Sequence, residues 1–211
     1  MKTMNVKKAL EVLIKGKAPG PSPSFQIFHM IKTLELISYL HVGRGMLANK
    51  LGIGKGATRT LVERLKEAKI ISISKSGCSL TKKGEEIWKE VKKIFPSKIQ
   101  LEKSDLTLSN CNVAVLVKAK ADKIKLGMEQ RDAAFLAGAK GATTLIMKKE
   151  KLVMPSIDAD INIESSVVHG KIVSSLKPNE GDVIVIGSAD TWDKAEYGAI
   201  AAAWTLLNNN D

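Results

Sequence analysis

Apolar positions follow helical spacing through the first hundred residues, then shift to short continuous runs that alternate with further helical stretches. In residues 44–51, Met46, Leu47 and Leu51 keep helical spacing, and Gly52 supplies the break that a tight turn needs. In residues 55–69, Ala57, Leu61, Leu65 and Ala68 share one face at i, i+4, i+8 and i+11, the buried side of an amphipathic helix. Lys55, Gly56, Arg59, Glu63 and Lys66 then face outward. Ile71 and Ile73 alternate with serines, Lys75-Ser76-Gly77 suits a glycine-containing turn, and Cys78 and Leu80 alternate back. The pattern predicts a helix-turn-helix followed by a small hairpin, a wing with Lys75 at its tip.

Flanking elements complete this first domain. Residues 5–15 predict a short basic helix, and GKAPGPSPSF a proline- and glycine-rich linker that cannot continue it. A leading helix starts near Phe25 with Ser24 as N-cap and carries Phe28, Ile31, Ile37 and Leu40. After the hairpin, LTKKG opens another helix: Thr81 caps it, Glu85 and Glu86 suit its positive end, and Ile87, Trp88, Val91 and Ile94 form its apolar stripe.

Beyond Lys98, CNVAVLVK (111–118) reads as a strand buried on both faces, as does DVIVI (182–186). Shorter strands fall at 143–147 and 152–154, and helices at 128–139 and 191–207. Residues 163–176 suit a short helix ended by Pro178, and Asp158 and Asp160 suit a loop. Strands alternating with helices predict a small α/β domain with a mixed, partly parallel sheet. The expected organisation is a basic segment and linker (1–23), an α+β winged helix-turn-helix domain (24–97) and the α/β domain (98–211).

Charge separates the halves. The net charge is +11, yet residues 1–100 hold 20 Lys+Arg against 7 Asp+Glu, whereas residues 101–211 hold 13 against 15. A polyanion partner for the first domain alone is the physical implication, and double-stranded DNA is the partner a winged helix fits. No segment reaches membrane-spanning length, and the amino-terminal run ALEVLI is interrupted by Glu11, so a cytoplasmic chain without membrane contact is expected. On the outward helix face, Arg59 can fork onto a guanine edge while Gly56 allows close backbone approach, with Thr58 and Lys66 on the same helix. Arg44, Lys50, Lys55 and Lys75 are the expected phosphate contacts. Paired half-sites favour a homodimer, built on residues 81–94 or on the last helix, where Gly198, Ala199, Ala202 and Ala203 permit close packing.

In the second domain Arg131, its lone arginine, and Asp132 fall on the side of Met128, Phe135 and Ala139, where packing predicts apolar residues. Either an internal ion pair or a pocket for a small anionic effector satisfies such charges, the latter formed by Glu129, Arg131 and Asp132 with Ser188 and Asp190 at the end of a buried strand. The segment 138–144 has glycines in phosphate-loop style, but it leads from helix to strand and reads as a C-cap. Asp190 reads as an N-cap, with anion binding as the alternative. Cys78 and Cys111 read as buried apolar residues, and His29, His41 and His169 are too scattered for a metal site. No nucleophile or carboxylate is spaced with a histidine for catalysis, and no cofactor is implied.

LGIGKGATRTLVERLKEAKII, LTKKG, GMEQRDAAFLAGAKGATTLIM and GDVIVIGSADTWDKAEYGAIAAAW resemble an archaeal group of uncharacterised proteins. The resemblance, which runs from about Pro21 onward, implies a winged helix joined to a small α/β domain of unknown function, and a transcription regulator. Two alternatives stay open: an enzyme whose α/β domain is localised by the winged helix, and a winged helix that binds protein.

Overall fold

A computed structural model describes residues 5–15, 23–155, 163 and 166–207. Asp158 and Asp160 and residues 16–22 of the linker lie outside the described residues. The chain divides into two compact units, Met1–Val91 and Lys92–Asp211.

In the first unit, α1 (Val6–Ile14) begins at Asn5, whose side chain accepts the Lys8 N–H. Helix α2 (Ile27–Tyr39) starts at Gln26 rather than at Ser24. The backbone N–H of Gln26 donates to Nδ1 of His29 at 3.0 Å, a reciprocal cap that serine two residues earlier has no position to make. Helices α3 (Arg44–Leu51) and α4 (Lys55–Glu67) follow as expected, with Gly52 left-handed at φ 63° between them. The hairpin is β1 (Ile71–Ser74) and β2 (Gly77–Leu80), antiparallel with Ser74 opposite Gly77, and Val42 adds one bridge to Cys78. Helix α5 (Lys82–Ile94) is capped by Thr81, whose Oγ1 accepts the Gly84 N–H at 3.1 Å. The glycine of LTKKG is a packing requirement, since a Cβ there would lie 2.1 Å from the Ile70 carbonyl oxygen.

The second unit is built on a five-stranded sheet in the order β3 (Lys98–Leu101), β4 (Cys111–Val117), β7 (Val183–Ala189), β5 (Gly141–Lys148), β6 (Lys151–Val153). Every adjacent pair is antiparallel, which corrects the expected partly parallel sheet. Strands β4 and β5, joined through α6 (Met128–Leu136), do run in the same direction, because both lie antiparallel to β7. The late strand β7 slots between them, so the two parallel strands never pair. Two-sided burial, legible in the apolar runs, does not itself require parallel neighbours. Strand β3 had no clear sequence signal; it is a four-residue edge strand with one well-buried side chain, Leu101.

Helices cover both faces. Ala114, Leu116, Leu145, Met147, Ile184 and Ile186 meet Ile172 and Leu176 of α7 (His169–Leu176), which ends before Pro178 as expected. The alternate residues of β4 and β7 face α8 (Trp192–Thr205). That helix lies on β7 almost backbone to backbone: a Cβ at Gly187 would fall 2.3 Å from the Ala195 carbonyl oxygen and 2.5 Å from the Ala199 nitrogen. Helix α6 packs on α8 in turn, where Gly198 admits the Ala139 and Ala134 methyls. The small residues of α8 are therefore consumed inside the chain; Gly198, Ala199, Ala202 and Ala203 are buried and do not offer the dimer surface expected of them. The cap of α8 is Thr191, not Asp190, with Oγ1 accepting the Lys194 N–H at 3.4 Å. After α6, Gly138 N–H bonds to the Phe135 carbonyl and Ala139 N–H to that of Ala134, the glycine C-cap expected of this segment.

Two consequences are measurable. Gly187→Ala has no room for its methyl and should lower the stability of the second unit by about 3 kcal/mol, read as a loss of melting temperature. His29 is buried and its pKa is lowered to about 4. Since an unfolded histidine titrates near 6.5, the stabilisation from neutral His29 is complete above that pH and is lost as pH falls toward 4. Amide exchange of α2 should report a loss on the order of 3 kcal/mol across that window, and His29→Gln should flatten the slope.

Candidate functional site

The face that matters in the first unit is set by what α4 buries. Thr58, Leu61, Val62 and Leu65 point into the core, and this fixes the rotation of the helix. Lys55, Gly56, Arg59, Thr60, Glu63 and Lys66 are left exposed. Of the residues expected to meet DNA, Arg44, Lys50, Lys55, Gly56, Arg59, Lys66 and Lys75 are all exposed. Thr58 is not: it is 1% exposed and its Oγ1 donates to the Gly54 carbonyl at 3.1 Å, so it is a core residue and not a contact. The buried stripe is rotated from the expected Ala57, Leu61, Leu65 and Ala68 face toward Thr58 and Val62.

At its start, α4 follows Gly54 without a side-chain cap. The first-turn amides therefore keep no side-chain acceptor at the positive end of the dipole, where a phosphate oxygen is stabilised. Arg59 is 70% exposed and its Nε donates to Glu63 Oε1 at 3.1 Å, an exposed pair whose loss costs little. Lys75 stands at the hairpin tip, and Arg44 opens α3. Thr60, exposed on the same turn as Arg59, escaped the sequence reading; a polar residue beside an arginine carries no distinguishing signal.

Arg64 also lies on α4 yet serves the fold. Its Nη1 donates to the carbonyls of Leu13, Ile14 and Lys15 at 2.8, 3.0 and 3.1 Å, closing the carboxyl end of α1, and the guanidinium stacks 5.3 Å from the Phe25 ring centre. Formal charge alone does not separate this cation from those facing solvent.

In the second unit the expected effector residues are differently disposed. Arg131 donates from Nη2 and Nε to Asp132 Oδ1 at 3.0 and 3.2 Å, and both residues are exposed, as is Glu129. The side of α6 that carries them faces solvent, so the premise of charges forced into a packed face is overturned; Gln130 and Ala134 are the buried residues. Ser188 is fully buried in the central strand and its Oγ accepts the Leu108 N–H at 3.0 Å. An antiparallel sheet with this order has no crevice there of the kind parallel sheets open. Asp190 pairs with Lys140 at 2.5 Å, and that hydrogen bond, with a weaker one from Ser109, holds its carboxyl below the usual range. Cys78 is buried, and its thiol is pushed up by desolvation; Cys111 is only half-buried. Among the described residues, no three or more His, Cys, Asp or Glu side chains cluster to hold a metal ion, and no helix is long and apolar enough to cross a membrane.

Comparison with known proteins follows the same division. Residues 24–95 match a family model described as CggR N-terminal DNA binding domain, and residues 108–206 match one described as a domain of unknown function, DUF4443. No curated protein matches the chain. Among solved structures it is similar to a hypothetical protein from Pyrococcus horikoshii OT3, with 26% identity, a TM-score of 0.69, and coverage of 87% of this chain and 93% of that one. The first unit is thus a helical DNA-binding domain with a small sheet, followed by an α/β domain of unassigned function.

Proposed function

We propose that the chain is a sequence-specific, double-stranded DNA-binding transcriptional regulator that presents α4 to the major groove. The observation that carries this reading is the face of α4: core packing turns Lys55, Gly56, Arg59 and Lys66 outward together, in a domain of DNA-binding type. Arg59 reads a base edge, most simply guanine O6 and N7, after leaving Glu63. Lys55 with the uncapped first turn of α4 takes one phosphate, and Arg44, Lys50 and Lys75 take others. Reading paired half-sites makes the binding species a homodimer.

Arg59→Ala should cost about 1–3 kcal/mol on the preferred site and relax its sequence at that position. Lys75→Ala should weaken all duplexes alike and lower the salt slope by about 1. Titrations against a preferred and a scrambled duplex at several salt concentrations test both; an Arg59→Ala protein with unchanged preference removes α4 from the groove.

A small anionic effector at Arg131 is a narrower part of the proposal. It must displace Asp132 from the guanidinium, so thermal shift with a panel of carboxylates and phosphates should stabilise wild type and not Arg131→Ala. Equal responses from the two proteins leave Arg131 without a ligand.

A further inference from the structure

Helix α6 is amphipathic in the reverse sense. Its buried side is small or polar: Ala134 packs against Gly198, and Gln130 Nε2 donates to Thr205 Oγ1 at 2.7 Å. Its outer side carries the large apolar residues, with Met128 52%, Phe135 68% and Leu136 79% exposed. Leu108, 55% exposed, extends this surface beside the helix, because its Cδ1 and the Arg131 Cγ both border the Cβ position of Gly141, at 2.9 and 3.7 Å. A chain that buries alanine and glutamine while leaving phenylalanine and leucine in water has inverted the usual gain from burial.

Taken as whole residues, these four expose on the order of 500 Å², most of it apolar, within the range of the largest patch a monomer leaves bare. With the Arg131 and Asp132 side chains the face approaches roughly 700 Å², close to the ~800 Å² that each partner gives to a standard interface. Arg131 and Asp132 lie amid the apolar residues, adjacent, opposite in sign and both exposed. Arg131 and Asp132 are self-complementary in charge, and Glu129, exposed on the same helix, leaves the face with one net negative charge. When two such helices meet antiparallel across a two-fold axis, Arg131 of one protomer faces Asp132 of the partner subunit, and the converse pair forms with it.

We propose that this outer face of α6, with Leu108 beside it, is the surface on which a second copy of the chain docks. The inference supplies the interface for the homodimer named above and does not depend on DNA binding.

The test is the mass of the full chain in solution, by sedimentation equilibrium from 1 to 100 μM. Wild type should be a dimer. Phe135→Asp, at a largely exposed side chain, should raise the dimer dissociation constant at least tenfold while keeping the wild-type far-ultraviolet spectrum. Arg131→Asp should weaken the dimer, and Arg131→Asp combined with Asp132→Arg should restore it, because the exchanged pairs re-form in the opposite sense. A wild type that stays monomeric at 100 μM overturns the proposal and leaves the face to another partner. A dimer that survives Phe135→Asp, or a double exchange that fails to rescue a weakened single variant, places the contact elsewhere. A monomeric wild type that still prefers one duplex over others refutes this interface alone, and a dimer that binds no duplex refutes the regulator alone.

Discussion

The rotation of α4 about its own axis is the constraint on which the reading of this protein turns. Thr58, Leu61, Val62 and Leu65 can be buried together in only one rotation, and Thr58 secures it by returning its hydroxyl to the Gly54 carbonyl. A helix so held presents Lys55, Gly56, Arg59 and Lys66 to solvent with no further adjustment. Arg64 works from another side of the same helix, closing α1 through three carbonyls, so the fold uses one arginine of α4 and leaves the other free to meet a ligand after parting from Glu63.

The second unit depends on a different constraint, the near contact of backbones. Strand β7 enters between β4 and β5 and is covered by α8 at a distance that Gly187 alone permits. Helix α8 then receives α6 at Gly198, where the close fit suits Ala134, while Gln130 on the same inner side is held by Thr205. The large apolar residues of α6 are displaced outward as a result. A packing decision in the centre of the sheet thereby produces an exposed apolar face on the surface.

The elements of the winged helix were legible in the sequence because each rests on local rules: helical spacing in α3 and α4, a glycine turn at residue 52, alternation and a two-residue turn in the hairpin, and a threonine cap before α5. The buried strands β4 and β7 were legible for the same reason. Their pairing was not, since the position of β7 between two parallel strands depends on partners far apart in the chain, Val117 and Ile146 both meeting Val183. The inner side of α6 was misjudged because periodicity identifies a stripe of large apolar residues without saying whether the core or a partner covers it. Thr58 was misplaced by one residue of helix rotation, and Ser188 was expected at an opening that only a parallel sheet would provide.

The most direct test of the regulator is selection of bound duplexes from a random pool by the full chain at physiological salt. The account expects enrichment of a motif with two half-sites in two-fold symmetry, their centres separated by about one helical turn or a multiple of it. Retention of all duplexes without enrichment, or equal retention of single strands, would contradict a sequence-reading α4.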